Sequence, residues 1–275
     1  MSRGAGCGRC PLDHYQGFLL DIDGVLVRGA EPVPGAVEAL ASLKDRGRVV
    51  LLTNNATRSR ADMAARLGAA GFAVTADEVV PSAYVAARYL ADEHGPVRFW
   101  ALGERGLVEE MTCAGHSPAS PAEAQWVVVG MDRGLTYDKL AQALRALLSG
   151  ARFLATNRDA TYPTENGLVP GAGAVVGALE GMGFPPEQVM GKPSPAAYHI
   201  ALGVAGVPSD RALMIGDRLE TDILGAQGLG MDTALVLSGI STLEDVERQG
   251  IRPTWVARDL PALVRGELFP PSTPR

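Results

Sequence analysis

Hydrophobic and polar positions fall along this chain in a strand–helix rhythm. Phe18, Leu19 and Leu20 form a continuous apolar run that passes through Asp21-Ile22-Asp23 into Gly24. Such a run, bounded by a turn residue, predicts a strand buried on both faces. Ala36, Val37, Leu40 and Leu43 then recur at helical spacing behind Val33-Pro34-Gly35, and Gly47 stops them. A second buried strand, Val49-Val50-Leu51-Leu52, ends in Thr53-Asn54-Asn55. Ser59 reads as the N-cap of a helix over 61–67 that Gly71 closes. Strand, helix, strand, helix at these lengths predicts parallel βαβ units. Right-handed crossovers would bring the carboxyl ends of both strands to one edge.

A second series follows a helix over 83–93. Phe99-Trp100-Ala101-Leu102, Trp126-Val127-Val128-Val129 and Arg152-Phe153-Leu154-Ala155 read as strands, and 137–148 as a helix. Residues 117–124 read as a loop, and Pro163, Gly167, Pro170 and Gly171 punctuate a passage without regular structure. Gly171-Ala172-Gly173-Ala174-Val175-Val176-Gly177 has the look of a dinucleotide loop, but no strand precedes it. It reads better as a small-residue helix start packed on a sheet. The first rhythm then returns, with strands at 212–215, 233–237 and 254–257 and helices at 196–202, 222–227 and 260–264.

Four strand-end or loop-start signals now stand in order: Asp21-x-Asp23, Thr53-Asn54, Lys192, and Gly216-Asp217 with Asp222. Open parallel sheets carry their ligand chemistry beyond the carboxyl ends of the strands. Side chains at i and i+2 lie on one side of an extended chain, so Asp21 and Asp23 can address one site. Oxygen donors without nitrogen or sulfur partners suit a hard cation such as Mg²⁺. A lysine, a hydroxyl and backbone amides suit phosphate oxygens. A screened carboxylate can attack phosphorus, and a second can move the proton.

Composition narrows the field. The chain has 275 residues, 47% hydrophobic and 20% charged, which is ordinary globular composition. A net charge of −6 argues against non-specific nucleic-acid binding. No apolar run approaches membrane-span length, and the N-terminus lacks the apolar core of a signal peptide, so a cytoplasmic protein with no membrane partner is expected. Three cysteines make no disulfide framework, and Cys7 and Cys10 offer half of a zinc pattern at most. Flexible ends are expected at 1–10 and 270–275.

Asp21-Ile22-Asp23-Gly24-Val25-Leu26, Thr53-Asn54-Asn55, Gly191-Lys192-Pro193 and Gly216-Asp217-Arg218-Leu219-Glu220-Thr221-Asp222 resemble the four ordered motifs of the haloacid dehalogenase-like phosphatases. Val127 to Asp132, Thr136 to Leu140 and Ala155 to Asp159 resemble the cap of the nitrophenyl-phosphatase branch, which includes phosphoglycolate, glycerol-3-phosphate, pyridoxal-phosphate and nucleotide phosphatases. The resemblance implies an α/β fold: a Rossmann-like parallel-sheet core over 11–83 and 171–269, with an inserted α/β cap domain over 84–170. It implies a phosphomonoesterase that works through an aspartyl-phosphate, with Asp21 as nucleophile and Asp23 as general acid/base. Asp21, the backbone carbonyl of Asp23, and Asp217 would bind Mg²⁺, with Asp222 behind them. Thr53, Asn54, Asn55 and Lys192 would hold the phosphoryl group, and Asn157 and Asp159 of the cap could reach the substrate or the hinge.

The expected substrate is a small phosphate ester, glycerol 3-phosphate or phosphoglycolate before pyridoxal phosphate or a nucleoside monophosphate. Tyr137 and Tyr162 keep a base-stacking site open. Arg133 and Arg158 could meet a substrate anion or lie on the surface. A homodimer would be in keeping with the family. A phosphotransferase or a phosphate-binding protein would be the rivals from other classes.

Overall fold

A computed structural model describes residues 12–164 and 167–269. Cys7, Cys10 and both expected flexible ends, 1–10 and 270–275, lie outside the described residues. Gly17–Leu20 is the axis of the larger sheet. It pairs in parallel with Arg48–Thr53 on one side and Ala212–Gly216 on the other. Val79–Pro81 extends the sheet beyond the first neighbour, and Asp232–Val236 and Trp255–Ala257 beyond the second. The chain therefore winds outward from one central strand in both directions. A crevice opens at the carboxyl edge where such an order reverses.

The continuous apolar run of the first strand is explained by its two neighbours. Phe18 and Leu20 enter a cluster with the helix Ala36–Arg46, the helix Arg60–Ala69 and the helix Leu260–Arg265. Leu19 enters a second cluster on the opposite face. All three are fully buried, each contributing roughly 1.5–3 kcal/mol of transfer free energy.

The second sheet is also parallel: Gln188–Val189, Arg152–Ala155, Trp126–Val129, Arg98–Leu102 and Ser117–Pro118, in that spatial order. Its residues alternate between two environments. Val127 and Val129 face the helices Tyr137–Leu148 and Ala172–Glu180. Trp126 and Val128 face the cluster that also holds Leu19, Val50 and Leu52 of the larger sheet. The two sheets thus rest on one shared apolar layer, supplied chiefly by Ser82–His94, Arg105–Cys113 and Pro195–Ala205.

Several details depart from the sequence expectations. The second sheet runs past residue 170, because Gln188–Val189 pairs with Arg152–Ala155 and Ala172–Glu180 packs on its outer face. The passage around Pro163 and Gly167 is an antiparallel hairpin, Thr161–Thr164 against Gly167–Pro170. Ser117–Pro118, within the expected loop, adds a short edge strand. The helices Arg105–Cys113 and Leu243–Gln249 were not expected. Both are short, and Leu243–Gln249 has only two apolar residues, Leu243 and Val246, so periodicity is weak over their length. The small-residue helix start does form: a side chain on Gly173 would run into the carbonyls of Arg158 and Asp159, which is why glycine stands there. No helix among the described residues is long and apolar enough to cross a membrane.

One buried carboxyl joins the two halves. Glu110 of the helix Arg105–Cys113 is 6% exposed and accepts from the Arg60 backbone N–H at 2.7 Å. It thereby caps the helix that follows the Thr53 loop, beside the Ser59 cap. Burial pushes Glu110 above its ordinary value of 4.5, against the opposing pull of the Arg60 amide and guanidinium. A raised folded value means that this group's contribution is fully present below the unfolded value and is lost as pH rises through the folded one. Glu110→Gln keeps an acceptor without the charge. Its Tm relative to wild type is therefore expected to improve between about pH 5 and about pH 8. A Tm difference that stays constant across that interval would remove Glu110 as the source of the pH dependence.

Candidate active site

The carboxyl edge of the larger sheet gathers the four sequence signals. The Asp21 N–H continues the strand ladder by donating to the Ile215 carbonyl at 2.9 Å. Its carboxylate then turns toward Lys192, whose ammonium lies 2.7 Å from Asp21 Oδ1 and 2.6 Å from Asp222 Oδ1. Lys192 is 4% exposed and Asp222 is 1% exposed. Burial alone would lower the lysine, but Asp21 and Asp222 outweigh it and hold the ammonium above its ordinary value. Burial pushes Asp21 up, Lys192 opposes, and the neighbouring carboxylates add to the rise.

Asp222 sits in a wide helical turn, Leu219–Ile223, and its second oxygen accepts from the Arg218 N–H at 3.0 Å. Both of its oxygens are engaged. Asp217 differs: Oδ2 accepts from the Ile240 N–H at 2.8 Å, while Oδ1 is buried without a partner. Burial, reinforced by Asp222, pushes Asp217 up to about 7. Gly24, at φ +87°, and Gly239 let the backbone close around this carboxylate, since a side chain on either would collide with it.

Asp21, Asp217 and Asp222 can each offer an oxygen within 4.8 Å of the others. A buried all-oxygen donor set with one orphaned carboxylate oxygen fits a hard divalent cation. Asp21 and Asp217 are the better ligands, because Asp222 is committed to Lys192 and the Arg218 amide. Asp23 is partly exposed toward the cavity. Burial raises it, and the charges of Arg66, Lys192 and Arg218 pull the other way.

The Thr53 loop is stapled from several sides. The Thr53 hydroxyl accepts from the Asn55 N–H at 3.2 Å. Asn54 Nδ2 donates to both oxygens of Asp159 and, at 2.9 Å, to the Lys192 carbonyl. The Asn54 carbonyl accepts from the Ser82 hydroxyl and from Asn157 Nδ2. Asn54, Asn157 and Asp159, expected at the substrate, thus form a polar bolt between the second sheet and the Thr53 loop. Asn157 and Asp159 still line the cavity edge.

That cavity, of about 350 Å³, lies between the carboxyl edges of the two sheets, with Asp21, Thr53 and Lys192 at its base. Such a volume suits a small organic ligand. Around its wall stand Arg28, Met131, Tyr162 and Arg218.

A profile described as haloacid dehalogenase-like hydrolase matches residues 18–117, and one described as HAD-hydrolase-like matches residues 189–263. The acid sugar phosphatase of Staphylococcus epidermidis is 34% identical over 251 residues, which span 90% of this chain and 96% of that protein. This chain belongs to the haloacid dehalogenase-like hydrolase family. It is a phosphoric monoester hydrolase of that family. Among solved structures, p-nitrophenyl phosphatase from Archaeoglobus fulgidus matches with a TM-score of 0.87 and 36% identity, covering 91% of this chain and 98% of that one. A glycerol phosphate phosphatase from Mycobacterium tuberculosis, in complex with magnesium, matches with a TM-score of 0.85 and 36% identity, covering 93% of this chain and 78% of that one.

In this hydrolase Arg133 and Arg158 do not meet the cavity. Arg133 forks onto Glu104 at 2.7 and 2.6 Å, and Arg158 pairs with Glu180. Tyr137 is 88% exposed, which leaves Tyr162 as the aromatic at the site. Sequence reasoning passed over Arg28, Met131 and the 238–240 turn. Arg218 was visible inside the Gly216-Asp217 motif, and Arg28 lies close behind Asp23. Met131 fell inside the Val127 to Asp132 cap motif without being singled out, and for Gly239 the chain carried no signal, because its place depends on distant segments meeting.

Lys192→Ala would leave Asp21 and Asp222 as unpaired buried carboxylates. In metal-free buffer near neutral pH it is expected to lower unfolding free energy by about 3 kcal/mol or more, as for other broken buried pairs. Urea unfolding reads this directly, and a loss below about 1 kcal/mol would mean that Lys192 does not hold these carboxylates together.

Proposed function

We propose that this hydrolase is a Mg²⁺-dependent phosphomonoesterase that acts on a small phosphorylated metabolite through a covalent aspartyl-phosphate. The observation that carries this reading is the Lys192 ammonium at 2.7 Å from Asp21 Oδ1 at the cavity base, beside the unpartnered oxygen of Asp217. Asp21 is the nucleophile. Its carboxylate attacks phosphorus, forming an acyl-phosphate bond as the bond to the ester oxygen breaks. Asp23 gives its proton to the departing oxygen, then takes one from the water that cleaves the acyl-phosphate. Burial favours the protonated form that the first step requires.

Lys192 and the Thr53 hydroxyl face the phosphoryl oxygens. Asn54 acts one step away, by fixing the Lys192 carbonyl and hence the loop that delivers the ammonium. Asn55 holds the wall of the cavity through Tyr162. Asp21, the Asp23 carbonyl and Asp217 would hold Mg²⁺, which when bound offsets the repulsion between these carboxylates and a phosphate. Asp222 keeps Lys192 in place from behind.

Glycerol 3-phosphate and phosphoglycolate are the favoured substrates, because the cavity is small and its walls carry arginine and tyrosine rather than stacked aromatics. A sugar phosphate is the second reading, supported by the name of the Staphylococcus epidermidis relative. Phosphate release from a panel of small monoesters, with Mg²⁺ and with chelator, tests the proposal beside Asp21→Asn. Release is expected to need the metal and to fall by at least about 10³-fold in the variant. Release indifferent to chelator or to Asp21→Asn would overturn it, and consumption of the ester without phosphate release, its phosphoryl group passing to an added sugar-phosphate acceptor, would make the protein a phosphotransferase.

A further inference from the structure

The hairpin Thr161–Thr164 with Gly167–Pro170 reaches from the second sheet over the cavity. Thr161, Pro163 and Thr164 are exposed, while Tyr162 and its cross-strand partner Val169 are half-buried. Thr161, Tyr162 and Pro163 line the cavity, and Tyr162 is the most buried of the three. Its hydroxyl lies 3.2 Å from Asn55 Nδ2, on the loop that begins at Thr53.

The direction of that hydrogen bond is fixed by the other end of Asn55. Asn55 Oδ1 accepts from the Thr57 N–H and from the Thr57 hydroxyl, both at 2.8 Å. A backbone N–H can only donate, so this end of the amide is the oxygen and the other is the donor. The Tyr162 oxygen accepts, and its own proton stays uncommitted: no acceptor for it lies within hydrogen-bond reach among the described residues. Burial, with the nearby Asp23 charge adding to it, raises the phenol and keeps that proton on the ring oxygen. Tyr162 and Asp23 line the same cavity.

We propose that Tyr162 is a specificity-determining residue that donates its phenolic proton to a hydroxyl of the departing alcohol, and so selects small polyol phosphates over unhydroxylated alkyl or aryl phosphates. This rests on the reading of Asp21 and Asp23 given above. The alcohol that leaves under Asp23 occupies the space below the hairpin. A hydroxyl there satisfies the tyrosine, whereas a bare hydrocarbon leaves a partly buried donor without a partner. Sites built around a hydrogen bond reject analogues that lack the partner for this reason.

The experiment compares glycerol 3-phosphate with propyl phosphate, which share a primary alkyl ester and differ in two hydroxyls, in wild type and Tyr162→Phe. Wild type is expected to prefer glycerol 3-phosphate by about tenfold or more in kcat/KM. In Tyr162→Phe that preference should collapse to within about threefold, over and above any equal factor that loss of the Asn55 hydrogen bond imposes on both esters. A parallel fall for both esters would show that Tyr162 serves only to hold the hairpin on Asn55, and an undiminished preference would show that other groups read the hydroxyls. Either result overturns the assignment. Asp21→Asn, run on both esters, separates the two layers. If it still releases phosphate, the underlying mechanism has failed rather than the role of Tyr162 alone.

Discussion

A single buried ammonium sets the terms for the whole molecule. Lys192 sits between Asp21 and Asp222, with Asp217 alongside, in a place where hydration is almost gone. Burying charges without partners costs several kcal/mol per ion. The arrangement is tolerable only because a strand end, a helical turn and a loop deliver Asp21, Asp222 and Lys192 to within hydrogen-bond distance. The sheet order accomplishes this. Gly17–Leu20 is flanked directly by Arg48–Thr53 and Ala212–Gly216, so the segments bearing Asp21, Thr53 and Asp217 leave the sheet side by side. The charge count also matters. Three carboxylates against one ammonium leave a surplus of negative charge. Without a cation, that surplus appears as an Asp217 pushed up to about 7 with an oxygen that has no partner. A divalent cation neutralises the surplus, so the site is organised around a charge that the chain itself does not supply.

The same requirement explains why the second sheet sits where it does. A phosphate ester is stabilised more strongly by fixed charges when water is excluded around it. Exclusion demands a roof, and a roof demands rigid support. Here the support is the apolar layer shared by Leu19, Val50 and Leu52 on one side and Trp126, Val128 and Leu154 on the other. The polar bolt of Asn54 with Asn157 and Asp159 then fixes register at the edge where the ligand enters. Apolar burial sets the distance between the sheets, and the directional hydrogen bonds set their alignment. Catalytic loop and roof are thus held by the same residues, which places the roof's contribution in the geometry of the site as well as in its closure.

What the sequence revealed follows the same division. Strand-end chemistry was legible because a parallel strand must be apolar throughout and must stop at a turn, so Asp21, Thr53, Lys192 and Asp217 stand out against their neighbours. Most of the central sheet and its helices, though not Val79–Pro81 or Leu243–Gln249, and the alternating second series could be read from the same periodicity. Gln188–Val189 could not, since a two-residue edge strand has no period. The hairpin at Thr161–Thr164 was hidden by Pro163 and Pro170, which are tolerated because the hairpin is an isolated pair with an open edge on each side. Asn157 and Asp159 were picked out correctly as strand-end polar residues. Their partner, Asn54, could not be known before the two sheets were brought together.

Tyr162 shows where local pattern stops being informative and geometry takes over. In the sequence it is one tyrosine in a proline-broken passage, equivalent to Tyr137. The fold separates them completely: one is almost fully exposed on a helix start, while the other is half-buried at the wall of the cavity. The distinction then passes through Asn55, whose amide orientation is dictated by a backbone N–H two residues further on. A donor at the wall of the cavity is thus defined by a chain of constraints. The hairpin brings the ring to the cavity wall, a turn fixes the amide, and the amide fixes the direction of the phenol's hydrogen bond. Each link is ordinary, and their combination exists only once residues more than a hundred positions apart have met.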